Sequence, residues 1–311
     1  MKYNDLRIQN EVLRALHKHY SFTISSTEFI PVGEESLAYK MITTTGERFF
    51  VKYCNRKHFI EDISKVNHLL LQLQYLDFVV PPIASSGRTE FEVKNGKVSI
   101  YPYIDGSVVD RSNDKFDKEL VEKLTTVMAA IHNTTPSISP PLPKENFTNS
   151  FTQRLEQILK DTKSGKFEEE VRNLLEQNLR IIEKIINTHN AIADKYRKEK
   201  PTFVLTHGDI TGLNIIISHF GLKLTDWDDA MFAPAERDIN FFVDNPHFSL
   251  EKYKTLTGLK EYQPVLREYY GQKWALDSII GNFESIVKDE KSKSDKSEYI
   301  EEIKQYLNFY K

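Results

Sequence analysis

The stretch LTHGDITGLNIII, Leu205 to Ile217, decides how this chain is read. It opens and closes on apolar residues with the composition of short strands, and between them the chain turns polar at His207, Asp209 and Asn214. Polar punctuation between two strands marks a loop held by a rigid scaffold, which is where chemistry concentrates. A second interruption follows in LKLTDWDDAMFAPAERD, Leu222 to Asp238, which sets Asp226 and Asp228 just past another apolar run. His207, Asp209, Asn214, Asp226 and Asp228 thus fall within 22 positions, on the ends of short strands expected to pair as hairpins. Carboxylates so close must be held apart, protonated or matched by cations, and a divalent metal is the simplest cation.

The order Asp209-x-x-x-x-Asn214 followed by Asp226 reproduces the order in protein kinases. There a loop Asp takes the hydroxyl proton, an Asn holds one Mg²⁺ and a later Asp also holds Mg²⁺. On this reading one rigid hairpin projects a base and a metal ligand toward a third group on the next strand.

HGDITGLN together with TDWDDAMFAPAERD resembles the aminoglycoside phosphotransferase family of small-molecule kinases. The likeness is specific in this motif, where PAERD follows DWD closely, and patterned over nearly all the rest. It implies an α+β, two-lobed protein-kinase-like fold: an N-terminal antiparallel sheet lobe, an adenine-binding hinge, and a mostly helical C-terminal lobe carrying catalysis and substrate recognition. By that resemblance Asp209 is the catalytic base, and Asn214 and Asp226 are the Mg²⁺ ligands. His207 supports the loop. Asp228 and Asp229 either extend the metal site, attract a cationic substrate or are solvated turn charges. Glu236, Arg237 and Asp238 follow a proline at the start of a helix, where acidic residues suit the dipole and Asp238 can brace the catalytic loop.

Upstream, RFFVKYC carries Lys52, which resembles the lysine that pairs the α- and β-phosphates. Glu61 in HFIEDI resembles the residue that holds that lysine, with Asp62 the alternative in helix phase. VGEESLAY has the place of the phosphate-covering loop but lacks G-x-G-x-x-G, so backbone N–H groups around Ser36 would serve. SIYPYIDG has the hinge position, with Pro102, Tyr103 and Ile104 meeting adenine; Pro102 lacks an N–H, so a neighbour must donate.

Working outward, residues 5–20 have the spacing of an amphipathic helix and residues 28–54 read as a meander. FIEDISKVNHLLLQLQYL is helical, and FVVPPI, RTEFEVKNG and KVSIYPYI are strand-like. Helical periodicity takes over beyond 102–106 and runs through the long 151–197 region. Strands return at TFVLTH, NIIIS and LKLTDW. TTPSISPPLPKEN, 134–146, reads as an exposed connector, and KDEKSKSDKSE as a solvated joint. The expected division is a nucleotide-binding lobe 1–101, a hinge 102–106 and a catalytic and substrate-binding lobe 107–311.

The chain's 311 residues and 40% hydrophobic content suffice for substantial cores. A net charge of −3 argues against a nucleic-acid partner. The longest apolar runs fall short of a membrane helix, the N-terminus lacks the apolar core of a signal peptide, and the single Cys54 cannot form an internal disulfide, so a cytoplasmic location is expected. The function expected from the resemblance is ATP- and Mg²⁺-dependent phosphoryl transfer to a hydroxyl of a small, amine-bearing molecule, such as an aminoglycoside or aminocyclitol antibiotic, by a monomer or small homo-oligomer. Asp277 would favour an amine, and Tyr269, Tyr270 and Trp274 either wall a cation or pack in the core. Metabolic kinases of choline, homoserine or sugars are an alternative, as are a metal-dependent hydrolase centred on His207 and a silent nucleotide-binding module.

Overall fold

The computed structural model describes residues 4–31, 36–55, 57–109, 116–134, 141–288 and 293–311, with side chains for all of these except 57–61, 288 and 293–295. In chain order the elements are α1 (Leu6–Tyr20), β1 (Ile24–Ile30), β2 (Ser36–Thr43), β3 (Arg48–Cys54), α2 (Lys57–Gln72), β4 (Glu90–Val93), β5 (Gly96–Pro102), β6 (Gly106–Val108) and α3 (Lys118–His132). There follow α4 (Phe151–Lys163), α5 (Glu169–Glu199), β7 (Val204–Thr206), β8 (Ile215–Ser218), β9 (Gly221–Leu224), β10 (Met231–Ala233), α6 (Glu236–Ile239), α7 (Leu250–Thr257), α8 (Pro264–Lys288) and α9 (Lys293–Phe309). They form two compact units, Met1–Lys144 with Val204–Gly258, and Glu145–Phe203 with Leu259–Lys311.

In the first unit, strand alternation does most of the positioning. The five-stranded antiparallel sheet runs β1-β2-β3-β5-β4. Phe49, Val51 and Tyr53 point into a core with Tyr39, Met41, Val98, Ile100 and the α1 residues Val12 and Leu16. Helix α1 starts because Asp5 caps the N–H groups of Arg7 and Ile8, and stops where Ser21 turns left-handed at φ 58°. Lys52 falls between the buried positions of β3, in register with Ala38 and Ser99, and so lies on the sheet face away from that core. Helix α2 reaches the same face through Asn67, which bonds Ser99.

The break at 207–214 is not the turn of one hairpin. Strand β7 pairs with β10, whereas β8 pairs with β6 and β9, so the chain leaves one small sheet and enters another. The return from β9 to β10 carries Asp226 and Asp228. The predicted hairpin therefore holds for β8–β9 alone, and two loops face the chemistry instead of one. Strands β6 and β10 were not expected, because three residues carry too little periodicity to read. FVVPPI joins no sheet: Val79 makes an isolated parallel bridge to Leu224.

The second unit is helical among its described residues. The 151–197 region divides into α4 and α5, and their apolar stripes bury Phe151, Leu155, Val171, Leu175 and Ile182 against Leu276, Ile279, Phe283 and Ile303 of α8 and α9. Residues 135–140 of the expected connector and 289–292 of the expected joint lie outside the described residues.

Candidate active site

The loop between β7 and β8 is held from behind by Asp238. Its Oδ2 accepts from the N–H of His207 at 2.9 Å and its Oδ1 from that of Gly208 at 2.7 Å. His132, at the end of α3, lies 3.0 Å from the same Oδ2 through Nε2, while its Nδ1 lies 2.5 Å from the Tyr253 hydroxyl of α7. One tautomer satisfies every group in this chain: Tyr253 O–H donates to Nδ1, and Nε2–H donates to the carboxylate. Burial works against charge on Asp238, but the His132 hydrogen bond and the nearby Arg237 guanidinium help hold its carboxyl below the ordinary value. Gly208 has φ 93°, and a Cβ there would overlap the Arg237 guanidinium, whose Nη1 donates to Thr206 Oγ1 at 2.9 Å.

His207 is completely buried, edge-on to Trp227 at a centroid distance of 4.7 Å. Its Nε2 meets the Thr225 carbonyl at 3.1 Å and its Nδ1 accepts from the Asp209 N–H at 3.2 Å. Burial pushes its pKa down despite the carboxylates nearby. Both ring nitrogens are therefore engaged, Nδ1 within its own loop and Nε2 in joining it to the other. Next along, Asn214 Nδ2 donates to the Asp209 carbonyl at 2.9 Å and to Asp209 Oδ2 at 2.8 Å. Asp209 Oδ1 is buried and has no hydrogen-bond partner, a costly state for an acceptor unless a donor arrives with a ligand.

Across the site, Asp226 adopts φ 59°, a left-handed backbone that a non-glycine residue keeps only where its surroundings enforce it. Lys52 Nζ lies 2.8 Å from Asp226 Oδ1 and 2.6 Å from Asp228 Oδ2. Burial disfavours the ammonium, but the two carboxylates more than offset this and raise the lysine pKa. Asp228 is pushed up by burial, with Lys52 opposing. The residues fit a magnesium ion: Asp226 offers a carboxylate, and Asn214, with Nδ2 committed to Asp209, offers its amide Oδ1. Hard oxygen donors of this kind, with positions left for water and phosphate, suit Mg²⁺. Among the described residues no group of three or more His, Cys, Asp or Glu could hold a metal.

Other predicted positions are more dispersed. The Glu61 side chain and the turn at 32–35 lie outside the described residues, and Ser36 opens β2 opposite Cys54. Asp62 is bonded to Lys65 Nζ at 2.5 Å. At the expected hinge, Pro102 ends β5 opposite Phe49, and the Tyr103 N–H is used on the Arg48 carbonyl at 3.2 Å. In the second unit, Asp277 meets Lys273 Nζ at 2.8 Å and Arg154 Nη1 at 3.0 Å, so two cations already match its charge. Tyr269 and Tyr270 are buried in a core with Phe147 and Tyr196, and Trp274 donates to the Tyr306 hydroxyl at 2.8 Å.

Four residues at this site escaped the sequence reading. His132 and Tyr253 are one; the signal was a histidine closing the apolar face of AAIHNTT. Asn67 and Tyr101 are the other pair. Asn67 is fully buried and spends its carboxamide on Ser99 Oγ at 3.0 Å, the Thr89 carbonyl and Glu90 at 3.4 Å, and the Tyr101 hydroxyl at 2.9 Å. It ties α2 to the strand beside Lys52.

A model of the phosphotransferase enzyme family matches residues 26–271. Protein StrN of Streptomyces griseus is 24% identical over 224 residues, covering 68% of this chain and 67% of that protein. Among solved structures, spectinomycin phosphotransferase APH(9)-Ia in complex with ADP and spectinomycin is similar with a TM-score of 0.76 and 19% identity, covering 97% of both chains. Choline kinase LicA from Streptococcus pneumoniae is similar with a TM-score of 0.59 and 16% identity, covering 98% of this chain and 100% of that one. The fold is kinase-like, an N-terminal antiparallel sheet followed by a largely helical remainder. No helix of the described residues is long and apolar enough to cross a membrane.

Proposed function

The chain belongs to the phosphotransferase enzyme family, and on that premise we propose that it moves the γ-phosphoryl group of ATP to a hydroxyl of a small, amine-bearing molecule. The observation that carries this reading is the convergence of Lys52, Asp209, Asn214 and Asp226, with Asn214 bonded to Asp209 and Lys52 to Asp226. Asp209 orients the acceptor hydroxyl and takes its proton as the oxygen bonds to the γ-phosphorus; the bond to the β-phosphate oxygen breaks and ADP leaves with that electron pair. Its partnerless Oδ1 is the atom for that hydroxyl, because Oδ2 is engaged by Asn214. Lys52 neutralises the α- and β-phosphates. Magnesium, held by Asn214 and Asp226, would supply the charge neutralisation that makes the departing phosphate a stable leaving group. Catalysis by this arrangement is positioning and electrostatics, which suits residues locked from behind as these are.

At the hinge, the Tyr103 N–H is committed to Arg48 and Pro102 has none, so Ile104 is the donor to the base among the three. An amine-bearing acceptor is supported by the exposed Asp229, a carboxylate beside the two that Lys52 matches. Spectinomycin phosphotransferase and choline kinase, named among the similar structures, fit that class. A hydrolase centred on His207 is disfavoured because both of its ring nitrogens are already bonded.

The test is ATP consumption with Mg²⁺ across spectinomycin, other aminoglycosides, choline, homoserine and sugars. Acceptor-dependent turnover is expected from the wild-type protein and none from Asp209→Ala or Asp226→Ala, both folded by circular dichroism. Full activity in either variant would overturn the mechanism, and turnover on neutral sugars alone would overturn the amine-bearing class.

A further inference from the structure

The two carboxylates on Lys52 are not equivalent. Asp226 is the more exposed, at 50% of its side chain against 27% for Asp228, and its backbone is left-handed. On the kinase reading, on which this inference rests, Asp226 would be the carboxylate that holds magnesium. Lys52 is only 14% exposed, and a cation so shielded is costly to leave without a counter-charge. On the α2 side, a cavity of about 10 Å³ is lined by Lys52, Cys54, Asp62, Ile63, Val66 and Asp228, at the lower limit for a single water. Among the described side chains of α2, which do not include Glu61, Asp62 shares that cavity, but its carboxylate is engaged by Lys65. Asp228, in contrast, is fixed through its neighbour: Trp227 is 2% exposed, and its indole N–H donates to the Leu224 carbonyl at 3.1 Å.

We propose that Asp228 is a positioning residue, a standing counter-ion that keeps Lys52 aimed at the phosphates while Asp226 is given over to the metal. It acts through the lysine and does not itself ligate magnesium. The sequence offered Asp228 as a metal extension, a substrate attractor or a solvated turn; the 2.6 Å contact to Lys52 assigns it a different task.

A double-mutant cycle read by calorimetric binding of ADP with Mg²⁺ tests this, using wild type, Asp228→Asn, Lys52→Met and the double variant. Asp228→Asn should weaken binding about tenfold when Lys52 is present and less than about twofold when it is Met, the coupling expected of charged groups in contact. The Mg²⁺ concentration for half-maximal ADP binding should not change, and Asp228→Glu, which keeps the charge, should recover most of the loss. Equal weakening in both backgrounds, a severalfold rise in the Mg²⁺ requirement, or no recovery in Asp228→Glu would overturn the proposal. A wild-type protein that binds no ADP would remove the kinase reading itself; binding by wild type with an uncoupled cycle would remove only the role of Asp228.

Discussion

Replacing Asp238 by Asn changes one atom and tests the brace behind the catalytic loop. The carboxylate accepts three hydrogen bonds in a place with no solvent exposure: His207 N–H and His132 Nε2 at one oxygen, Gly208 N–H at the other. An Asn oriented with least damage keeps its oxygen on His207 and His132 and turns its NH₂ toward the Gly208 N–H, so a buried donor faces a donor. That loss, together with the charge removed from the two remaining bonds, should cost about 2 to 4 kcal/mol. Urea unfolding of the two proteins at pH 7 measures it. The gap should also depend on pH. The Asp238 carboxyl titrates below its ordinary 3.8 in the folded protein, so its contribution is complete above 3.8 and is lost as pH falls through the lower folded value. The Asn variant lacks this titration, so the two stabilities should draw together below that pH. Turnover should fall about a hundredfold, because Asp209 sits one residue past the released N–H and misplacement on the ångström scale costs that much. A stability difference under about 0.5 kcal/mol, within the range of an ordinary surface change, would refute the brace.

Two further substitutions probe the scaffold, beside the active-site variants and the Lys52–Asp228 cycle given above. Asn67→Leu should destabilise by about 2 to 4 kcal/mol in urea unfolding, since it leaves the Tyr101 hydroxyl and Ser99 without their buried partner; a neutral result would show that water replaces the carboxamide. Gly208→Ala should cost about 1 to 3 kcal/mol by combining strain at φ 93° with displacement of Arg237. Its turnover should fall more than that of an alanine placed at Gly221, where φ is 104° and no atom lies within 4 Å of the added Cβ; equal losses at the two sites would deny any special role to the Arg237 packing.

Much of the site was legible because its informative features are local. Strand period fixes which way Lys52 points, and the five-residue step from Asp209 to Asn214 lets an amide reach back to the carboxylate across one tight turn. Helix α1 was equally readable from the spacing of its apolar residues, and the structure adds its Asp5 cap. The hairpin prediction failed at β7, whose partner β10 begins 25 residues further on, past an intervening hairpin, and whose three residues carry no register of their own. His132 and Tyr253 lie 121 positions apart, and neither residue type announces a catalytic-loop support from its surroundings. Asn67 looked like one polar residue on an apolar helix, and only its four partners, on β4, β5 and the residue just before β4, reveal it as an anchor.

The amino-acid sequence by itself determined the kinds of group in the site and their order, because spacing along a strand or a tight turn is a property of the backbone and needs no distant partner. The tertiary structure alone decided how those groups are charged and held. Lys52 meets Asp226 and Asp228 across separations of 174 and 176 residues, and burial then sets the worth of each contact. Pairings over such distances follow from how the sheets and helices stack. A desolvated ammonium between two carboxylates therefore has no counterpart in any local pattern of residues.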